Sequence, residues 1–434
     1  MNTLFLLAAL ALSPAAAPED VTAFVNVTVV PMDAERLVPG QTVLIEGDRI
    51  VAVGSDVQVP EGALVIDGSG QYLMPGLAEM HGHIPPPNQP AEEIEKTLFL
   101  YMANGITTVR GMLGYPGQLD LKAAANAGEI DAPTLYLAGP SFNGGSVNSP
   151  AQAADKVRRQ VEEGWDLLKI HPGLSKAEFD SMAVTARRSG IDFGGHVPAD
   201  VGLVHALEMG QLTFDHLDGY VEYLSSIDAD AVDTGALADI VARTKAMGAW
   251  VVPTMVLWET LYGTNDLDDL NAFPELQYAH PSARASWENA FRQRVANPQF
   301  DLQQSRKVID ARMQVLAALN EADAGILMGT DAPQQYSVPG FSLHREMARM
   351  EDAGMSPYEV LRSGTVAVGT YFEAWDTFGQ VAAGHRADLI LVRGNPLEDL
   401  AHVADRGGVM VRGRWYAEET IQERLASIAA SYRQ

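Results

Sequence analysis

Short apolar runs alternate with helical stretches through the middle of this chain, and that alternation constrains its fold more than any other feature. Helical signals lie between several of the runs, and eight runs have the length and character of buried strands: Leu77–His81, Thr107–Gly111, Thr134–Ala138, Asp166–Ile170, Asp192–His196, Leu212–His216, Ala249–Pro253 and Gly325–Gly329. Eightfold alternation predicts an α/β fold, a closed parallel (β/α)₈ TIM-like barrel. An open doubly wound sheet is the competing architecture on this pattern alone.

The sequence contains two motifs that predict the start of a helix. Ser175 with Glu178 forms a capping-box pattern, and Gly190 is placed to end the helix that follows. Ser356 repeats the pattern with Pro357 at the first helical position.

The barrel segment is predicted to span residues 75–375, and β-rich segments flank it at 19–74 and 376–434, the latter ending in a helix. A long stretch at about 255–320 contains Trp258 and Trp287 and is interpreted as a helical insertion over the barrel mouth. The alternative for this stretch is an ordinary barrel helix with its loop.

The amino-acid composition excludes some partners and some kinds of catalytic and metal site. The chain has 30 Lys and Arg against 56 Asp and Glu, a formal net charge of −26, which argues against nucleic acid as a partner because phosphates would be repelled. It contains no cysteine, so thiolate metal sites and a Cys nucleophile are excluded. Any metal must therefore be held by His, Asp, Glu or a modified Lys.

The N-terminus predicts export to the periplasm or the medium. Leu4 to Leu12 is a short apolar run followed by small residues, and residues 1–18 are interpreted as a signal peptide. An apolar N-terminal tail is the alternative, because no Lys or Arg precedes Arg36. The run is too short to span a bilayer, and no later stretch is apolar enough for an integral membrane span.

Polar side chains stand where several of the predicted strands end, at the mouth that carries active sites in barrels of this kind. His81 and His83 are two residues apart on an extended chain and therefore point to one side. The full set is His81, His83, Lys169, His196, His216 and Asp331. Imidazole and carboxylate without thiolate suit Zn²⁺ or another divalent first-row metal.

Each member of this set has a structural alternative when taken alone. A histidine can be satisfied in the core, Lys169 can pair with a carboxylate, and Asp331 can be a helix N-cap. The joint placement at the ends of strands 1, 4, 5, 6 and 8 favours a metal centre over these separate readings.

The sequence resembles the metal-dependent amidohydrolase superfamily, in the branch of imidazolonepropionase-like proteins and Xaa-Pro-type dipeptidases. The matching stretches cover nearly the whole chain after the leader: MPGLAEMHGH at 74–83, DLLKI at 166–170, GGH at 194–196, TFDH at 213–216, MGTDA at 328–332 and GHRADLILVRGNPL at 384–397. The resemblance implies a barrel whose two flanks fold together into a small β-sandwich.

The resemblance also implies roles by position. His81, His83 and Asp331 would hold one divalent metal, His196 and His216 a second, and Lys169, N-carboxylated by CO₂, would bridge both. The expected ions are Zn²⁺. A water activated between them would attack the carbonyl, with Asp331 as the proton shuttle.

Further residues near the motifs are candidate substrate contacts. His171 follows Lys169 by two residues, Tyr220 and Tyr223 follow His216, and His344 lies after the last strand. Packing or helix capping is the alternative role for these four side chains. In one stretch the chain departs from the family, because the loop after the third strand reads Asn143-Gly144-Gly145-Ser146 where dipeptidase-like members often have Gly-Gly-His.

The sequence therefore predicts an exported, metal-dependent amidohydrolase, metallopeptidase-like, that cleaves C–N bonds in a small-molecule amide or peptide-like substrate. A hydrolase of cyclic amides of the imidazolone type is the first alternative. A metal-free binding protein on the same barrel is the second, and the complete ligand set argues against it. A homo-oligomer is compatible with the sequence.

Overall fold

The computed structural model describes residues 21–224 and 232–433. The predicted signal peptide, residues 1–18, lies outside the described residues, so export stays a prediction. None of the described helices has the length and apolar character needed to cross a bilayer.

The described strands fall into two groups, a mixed sheet from the flanks and the strands of a barrel. In chain order they are β1 (Val21–Val29), β2 (Val38–Glu46), β3 (Arg49–Gly54), β4 (Leu64–Asp67), β5 (Tyr72–Pro75), β6 (Leu77–Gly82), β7 (Ile106–Gly111), β8 (Thr134–Leu137), β9 (Leu167–Ile170), β10 (Asp192–Gly195), β11 (Thr213–Asp215), β12 (Trp250–Val252), β13 (Gly325–Ile326), β14 (Leu389–Val392), β15 (Arg406–Val411) and β16 (Arg414–Ala417).

The described α-helices lie mostly between the barrel strands and after the last of them. They are α1 (Ala91–Ala103), α2 (Gln118–Asn126), α3 (Pro150–Glu163), α4 (Lys176–Ser189), α5 (Leu203–Glu208), α6 (Tyr220–Tyr223), α7 (Thr234–Ala246), α8 (Met255–Leu261), α9 (Leu267–Asn271), α10 (Pro281–Val295), α11 (Leu302–Glu321), α12 (Phe341–Asp352), α13 (Pro357–Ser363), α14 (Val366–Tyr371) and α15 (Glu418–Ser431). Both predicted capping boxes are confirmed, at the starts of α4 and α13.

Strands β6 to β13 form the barrel, and each overlaps one of the eight predicted strands. Strands β6, β7 and β8 pair in parallel, as do β9 to β13. A parallel bridge between Ala138 and Leu167 joins the two groups on one side. On the other side the Met80 N–H donates to the Met328 carbonyl at 2.8 Å, so that the first strand meets the segment just after the last strand. These contacts fit the predicted (β/α)₈ barrel.

Strands from both ends of the chain build one flanking sheet, in the order β16-β15-β14-β5-β1-β2-β3 with β4 on β1. The join is the antiparallel pairing of β5 with β14, in which Leu73 faces Leu391. Both leucines are buried in an apolar cluster with Phe24 and Met410. The two flanks therefore form a single unit, because neither contains the whole sheet.

The predicted insertion is helical in the structure. Helices α8 to α10 and a short 3₁₀ helix at Pro274–Tyr278 lie between β12 and α11. Trp287 of α10 is buried with Phe291 and packs at 5.9 Å from the Tyr336 ring, which follows β13. The insertion thus packs against the segment that follows the last barrel strand.

A buried arginine ties the flanking sheet to the barrel. Arg386, just before β14, is 1% exposed. Its guanidinium donates to Asp388, Asp376 and the Thr108 hydroxyl of β7, each at 2.7 Å. Removal of this cation would leave the carboxylate of Asp388 buried without its partner, which is costly in a protein interior.

We therefore expect Arg386→Met to lower the free energy of unfolding by about 3–5 kcal/mol in urea titrations. The matched control is Arg393→Met, since Arg393 pairs with Asp405 on the surface. An exposed pair of this kind contributes at most about 1 kcal/mol. Equal losses in the two variants would show that the buried arginine is not a structural tie.

Candidate metal centre

The six predicted ligands lie where the barrel strands end. His81 is in β6 and His83 follows it, Lys169 is in β9, and His196 and His216 come directly after β10 and β11. Asp331 follows β13 in a left-handed conformation, with φ of 63°. Because all these strands are parallel, their carboxyl ends share one mouth of the barrel, and the structure brings the six side chains together there.

Asp331 is at the middle of this cluster. Its Oδ1 lies 2.5 Å from His83 Nε2 and 3.6 Å from His81 Nε2, and its Oδ2 lies 3.7 Å from His216 Nε2. Ligand atoms of His81, His216 and Asp331 all lie within 4.8 Å of one another, and the three residues are buried. Separations of this size are compatible with side chains that share an ion through bonds of about 2 Å.

Lys169 reaches the cluster from the opposite wall and is fully buried. Its Nζ lies 3.2 Å from His81 Nε2. Glycine at position 195 makes room for it, because a Cβ there would lie 3.0 Å from Lys169 Cδ and the backbone has φ of +120°. Burial lowers the pKa of Lys169, which favours the neutral amine.

Three of the histidines are oriented through their Nδ1 atoms. His196 Nδ1 lies 2.7 Å from Asp218 Oδ2, and His216 Nδ1 lies 2.8 Å from the Thr254 hydroxyl. His81 Nδ1 lies 2.7 Å from Asp215 Oδ2, a close electrostatic contact without the alignment of a hydrogen bond. A partner on Nδ1 fixes the ring and leaves Nε2 available as a ligand atom.

Burial also sets the protonation state of the imidazoles. It lowers the pKa of His81 and of His216 well below the ordinary value, and nearby cationic groups act in the same direction. Both rings are therefore neutral at pH 7, the form in which histidine binds metal.

Sequence reasoning missed a buried ion pair behind His81. Arg110 of β7 and Asp215 of β11 are both fully buried, and their side chains meet at 3.2 Å. Arg110 Nε also donates to the Met80 carbonyl at 2.6 Å. The pair holds Asp215 against His81; its only sequence signal was a charged residue near the end of each of two apolar strands.

Glu79 was also missed, although it lies within the first motif. One carboxylate oxygen accepts from the N–H groups of His81, at 3.1 Å, and Thr330, at 2.7 Å. The other accepts from the Thr330 hydroxyl at 2.6 Å. Burial raises the pKa of this carboxyl to about 8. Glu79 thereby connects the strand that carries His81 to the residue before Asp331.

Glu346 of α12 gives comparable support on the other side of the mouth. Its two oxygens accept from the N–H groups of Met255 and Val256, at 2.8 and 3.0 Å. These residues directly follow Thr254, whose left-handed backbone, with φ of 47°, directs its hydroxyl to His216. Glu346 therefore positions the residue that orients His216.

Of the four candidate substrate residues, one lies beside the ligand cluster and three have other surroundings. The His171 ring stacks on the His196 ring at 4.9 Å, so the structure places it beside the cluster. Tyr220 is buried with its hydroxyl 2.8 Å from Thr244 Oγ1, and Tyr223 donates to Asp239 at 2.6 Å. His344 has both ring nitrogens buried without a hydrogen-bond partner, and burial with the charge of Arg406 lowers its pKa to about 3.

Among the described residues, no hydrogen bond or ring contact joins Tyr220, Tyr223 or His344 to the six ligands. Tyr220 and Tyr223 have partners on α7, and His344 lies near the flanking sheet. Their substrate roles stay predictions without geometric support, whereas that of His171 is supported by position.

A cavity of about 420 Å³ opens beside His83. Its walls include Pro333, two residues after Asp331, and Trp287 of the helical insertion. Volumes of roughly 300–1,000 Å³ are usual for pockets that bind small molecules.

Comparison with known proteins gives a sequence profile and several relatives. The profile described as "Amidohydrolase family" matches residues 72–416. The chain is 21% identical to ochratoxinase of Aspergillus niger over an alignment of 436 positions, which covers 86% of this chain and 81% of that protein. It is 26% identical to adenine deaminase 3 of Rhizobium meliloti over 205 residues, 43% of this chain and only 34% of that protein.

Two solved structures have the same fold over nearly the full chain. A Xaa-Pro dipeptidase with bound methionine in its active site gives a TM-score of 0.70 at 19% identity, covering 92% of this chain and all of that one. Bottromycin amidohydrolase gives a TM-score of 0.75 at 24% identity, covering 95% and 90%. At these identities the likeness concerns the fold.

We expect Glu79→Ala to weaken metal binding by about 10–100-fold, the usual effect of losing support behind a ligand. Glu79→Gln is the matched control, since an amide oxygen can accept both backbone N–H groups. Affinity is measured by competition with a chelator, with thermal unfolding to monitor the fold. Wild-type affinity in the alanine variant would reject the positioning role.

Proposed function

The chain belongs to the amidohydrolase family, and we propose that it is a metal-dependent hydrolase of C–N bonds in amide or peptide-like small molecules. The profile match confirms the predicted family and the enzyme class, amidohydrolase. The solved structures with which it shares its fold confirm the predicted barrel. Activity and substrate are proposals that rest on the site itself.

The observation that carries the proposal is the convergence of four imidazoles, one buried amine and one carboxylate at the barrel mouth. His216 Nε2 is buried and has no hydrogen-bond partner among the described residues. Buried polar atoms of this kind are costly unless something binds them. Nitrogen and oxygen donors without sulfur fit a divalent first-row ion. This complete set argues against the alternative of a metal-free binding protein.

We assign two divalent ions, both Zn²⁺, to this set. His81, His83 and Asp331 would hold one ion, and His196 and His216 would hold the other. Bound there, the ions would polarise the scissile carbonyl and lower the pKa of an attacking water.

Lys169 is suited to bridge the two ligand groups after addition of CO₂ to its amine. Reaction with CO₂ requires a neutral amine, and burial lowers the pKa of Lys169 in that direction. The carbamate would replace the amine by an anion with two ligand oxygens. This anion would form at the amine nitrogen, which lies 3.2 Å from His81 Nε2.

Asp331 is placed to move protons. Its Oδ1 faces His81 and His83, and its Oδ2 faces His216, so the carboxylate lies between the two ligand groups. From this position it would take a proton from the attacking water and then deliver it to the departing amine nitrogen. His171, beside His196, would lie next to the bound substrate.

The direct test uses protein purified in zinc-supplemented buffer. We expect about two metals per chain by elemental analysis, with hydrolysis of members of a dipeptide and N-acyl amino acid library. Lys169→Ala should lose bound metal and lower turnover by about 100-fold or more, because the bridging ligand is missing. A small carboxylic acid such as propionate should restore part of the activity.

Lys176→Ala is the matched control, since Lys176 is exposed at the start of α4. We expect it to keep the metals and the turnover of the wild type. Wild-type protein without metal, or wild-type turnover in Lys169→Ala, would contradict the proposed function.

A further inference from the structure

The cavity beside His83 indicates which class of substrate the site accepts. We propose that it holds a bulky, uncharged, apolar or aromatic group attached next to the scissile amide. This inference rests on the proposed function, because it describes one side of the same substrate. It adds a class: amides with a large apolar substituent rather than small polar dipeptides.

The first step is the connection between the cavity and the cluster. His83 lines the cavity and also lies 2.5 Å from Asp331 through its Nε2. Its side chain is 22% exposed, whereas that of His81 is 1% exposed. Of the six predicted ligands, His83 lines the cavity, so a group bound there would lie beside this histidine of the cluster.

The second step is the character of the walls. They come from stretches far apart in the chain. Most are apolar or aromatic, among them Pro85, Leu113, Tyr115, Tyr278, Trp287 and Pro333, and polar side chains such as Gln89, Thr97 and Gln334 lie between them. Tyr278 stacks on Phe341 at 4.9 Å, and Trp287 is buried, so these walls are held by packing. An apolar group transferred from water into such a site gains free energy in proportion to the area it buries.

Charged side chains at the cavity form ion pairs. Lys96 lies 2.8 Å from the carboxylates of Glu92 and Glu93, and the Tyr432 hydroxyl donates to Glu93. Lys96 also lies over the Tyr432 ring at 4.7 Å. Of these groups, Lys96 and Glu93 line the cavity and pair with each other, which leaves neither charge isolated to recognise an ionised substituent.

The volume of the cavity also favours a large substituent. A cavity of about 420 Å³ is larger than an acetyl or glycyl group requires. A small substituent would leave much of the apolar wall facing water, whereas a naphthyl-sized group would cover more of it. We therefore expect selectivity to rise with the apolar area of the substituent.

The test fills the cavity by mutation. Ala283 of α10 lines it, and Ala283→Trp would occupy part of its volume. Ala285→Trp makes the same change on the exposed side of the same helix and is the matched control. Leu113→Trp is a second filling variant, on a different wall, in case Ala283→Trp does not fold.

The probes are two series on the zinc-loaded enzyme. One is glycine acylated with acetyl, benzoyl or 1-naphthoyl groups, and the other is N-acetylated glycine, phenylalanine or naphthylalanine. In one series at least, kcat/KM should rise about tenfold or more from the smallest to the largest member. Ala283→Trp should abolish that rise, while Ala285→Trp should behave as the wild type on every member of the series.

Equilibrium binding of the naphthyl compounds by calorimetry separates this inference from the proposed function. Without hydrolysis of any probe, tight naphthyl binding that Ala283→Trp weakens and Ala285→Trp does not would reject the hydrolase proposal and support the cavity assignment. Preference for the smallest probes, or equal effects of the two tryptophan variants, would overturn the cavity assignment.

Discussion

The meeting of the first barrel strand with the segment after the last strand is the contact on which the site depends. The Asp331 N–H donates to the His81 carbonyl at 2.7 Å, and the His83 N–H donates to Ala332 at the same distance. Gly329 permits this approach, since a Cβ there would lie 2.7 Å from the His81 nitrogen. Glu79 then fixes the junction by accepting from both sides. Two residues 250 positions apart in sequence, His81 and Asp331, become neighbours because the ring closes here.

The sequence allowed the barrel strands and the family to be predicted because both are repeated or local patterns. Apolar runs with polar ends are visible one strand at a time, so His81, Lys169, His196 and His216 could be grouped before their contacts were known. The last strand is shorter than predicted: β13 ends at Ile326, and the Met328 N–H donates instead to the carbonyl of Ser363, the last residue of α13. That partner could not be inferred from a run of apolar residues.

The residues that hold the ligands in position, such as Arg110, Asp215 and Glu346, were not predictable in the same way. Arg110 and Asp215 are 105 positions apart, and Glu346 acts on backbone groups rather than on a side chain with its own signal. A charged residue in an apolar strand indicates only that some partner exists, because burial without one is costly. Substrate contacts were less predictable still: His171 is beside the cluster, whereas Tyr220 has its partner on a neighbouring helix. The walls of the cavity come from loops and from helices such as α1 and α10, and only the fold brings these elements together.

The most direct test of the metal centre is anomalous diffraction at the zinc absorption edge from crystals of the zinc-loaded protein. We predict two peaks at the barrel mouth, one nearest His81, His83 and Asp331 and the other nearest His196 and His216, with carbamate density on Lys169 between them. Peaks confined to the acidic surface, or an unmodified Lys169 turned away from the histidines, would contradict this prediction.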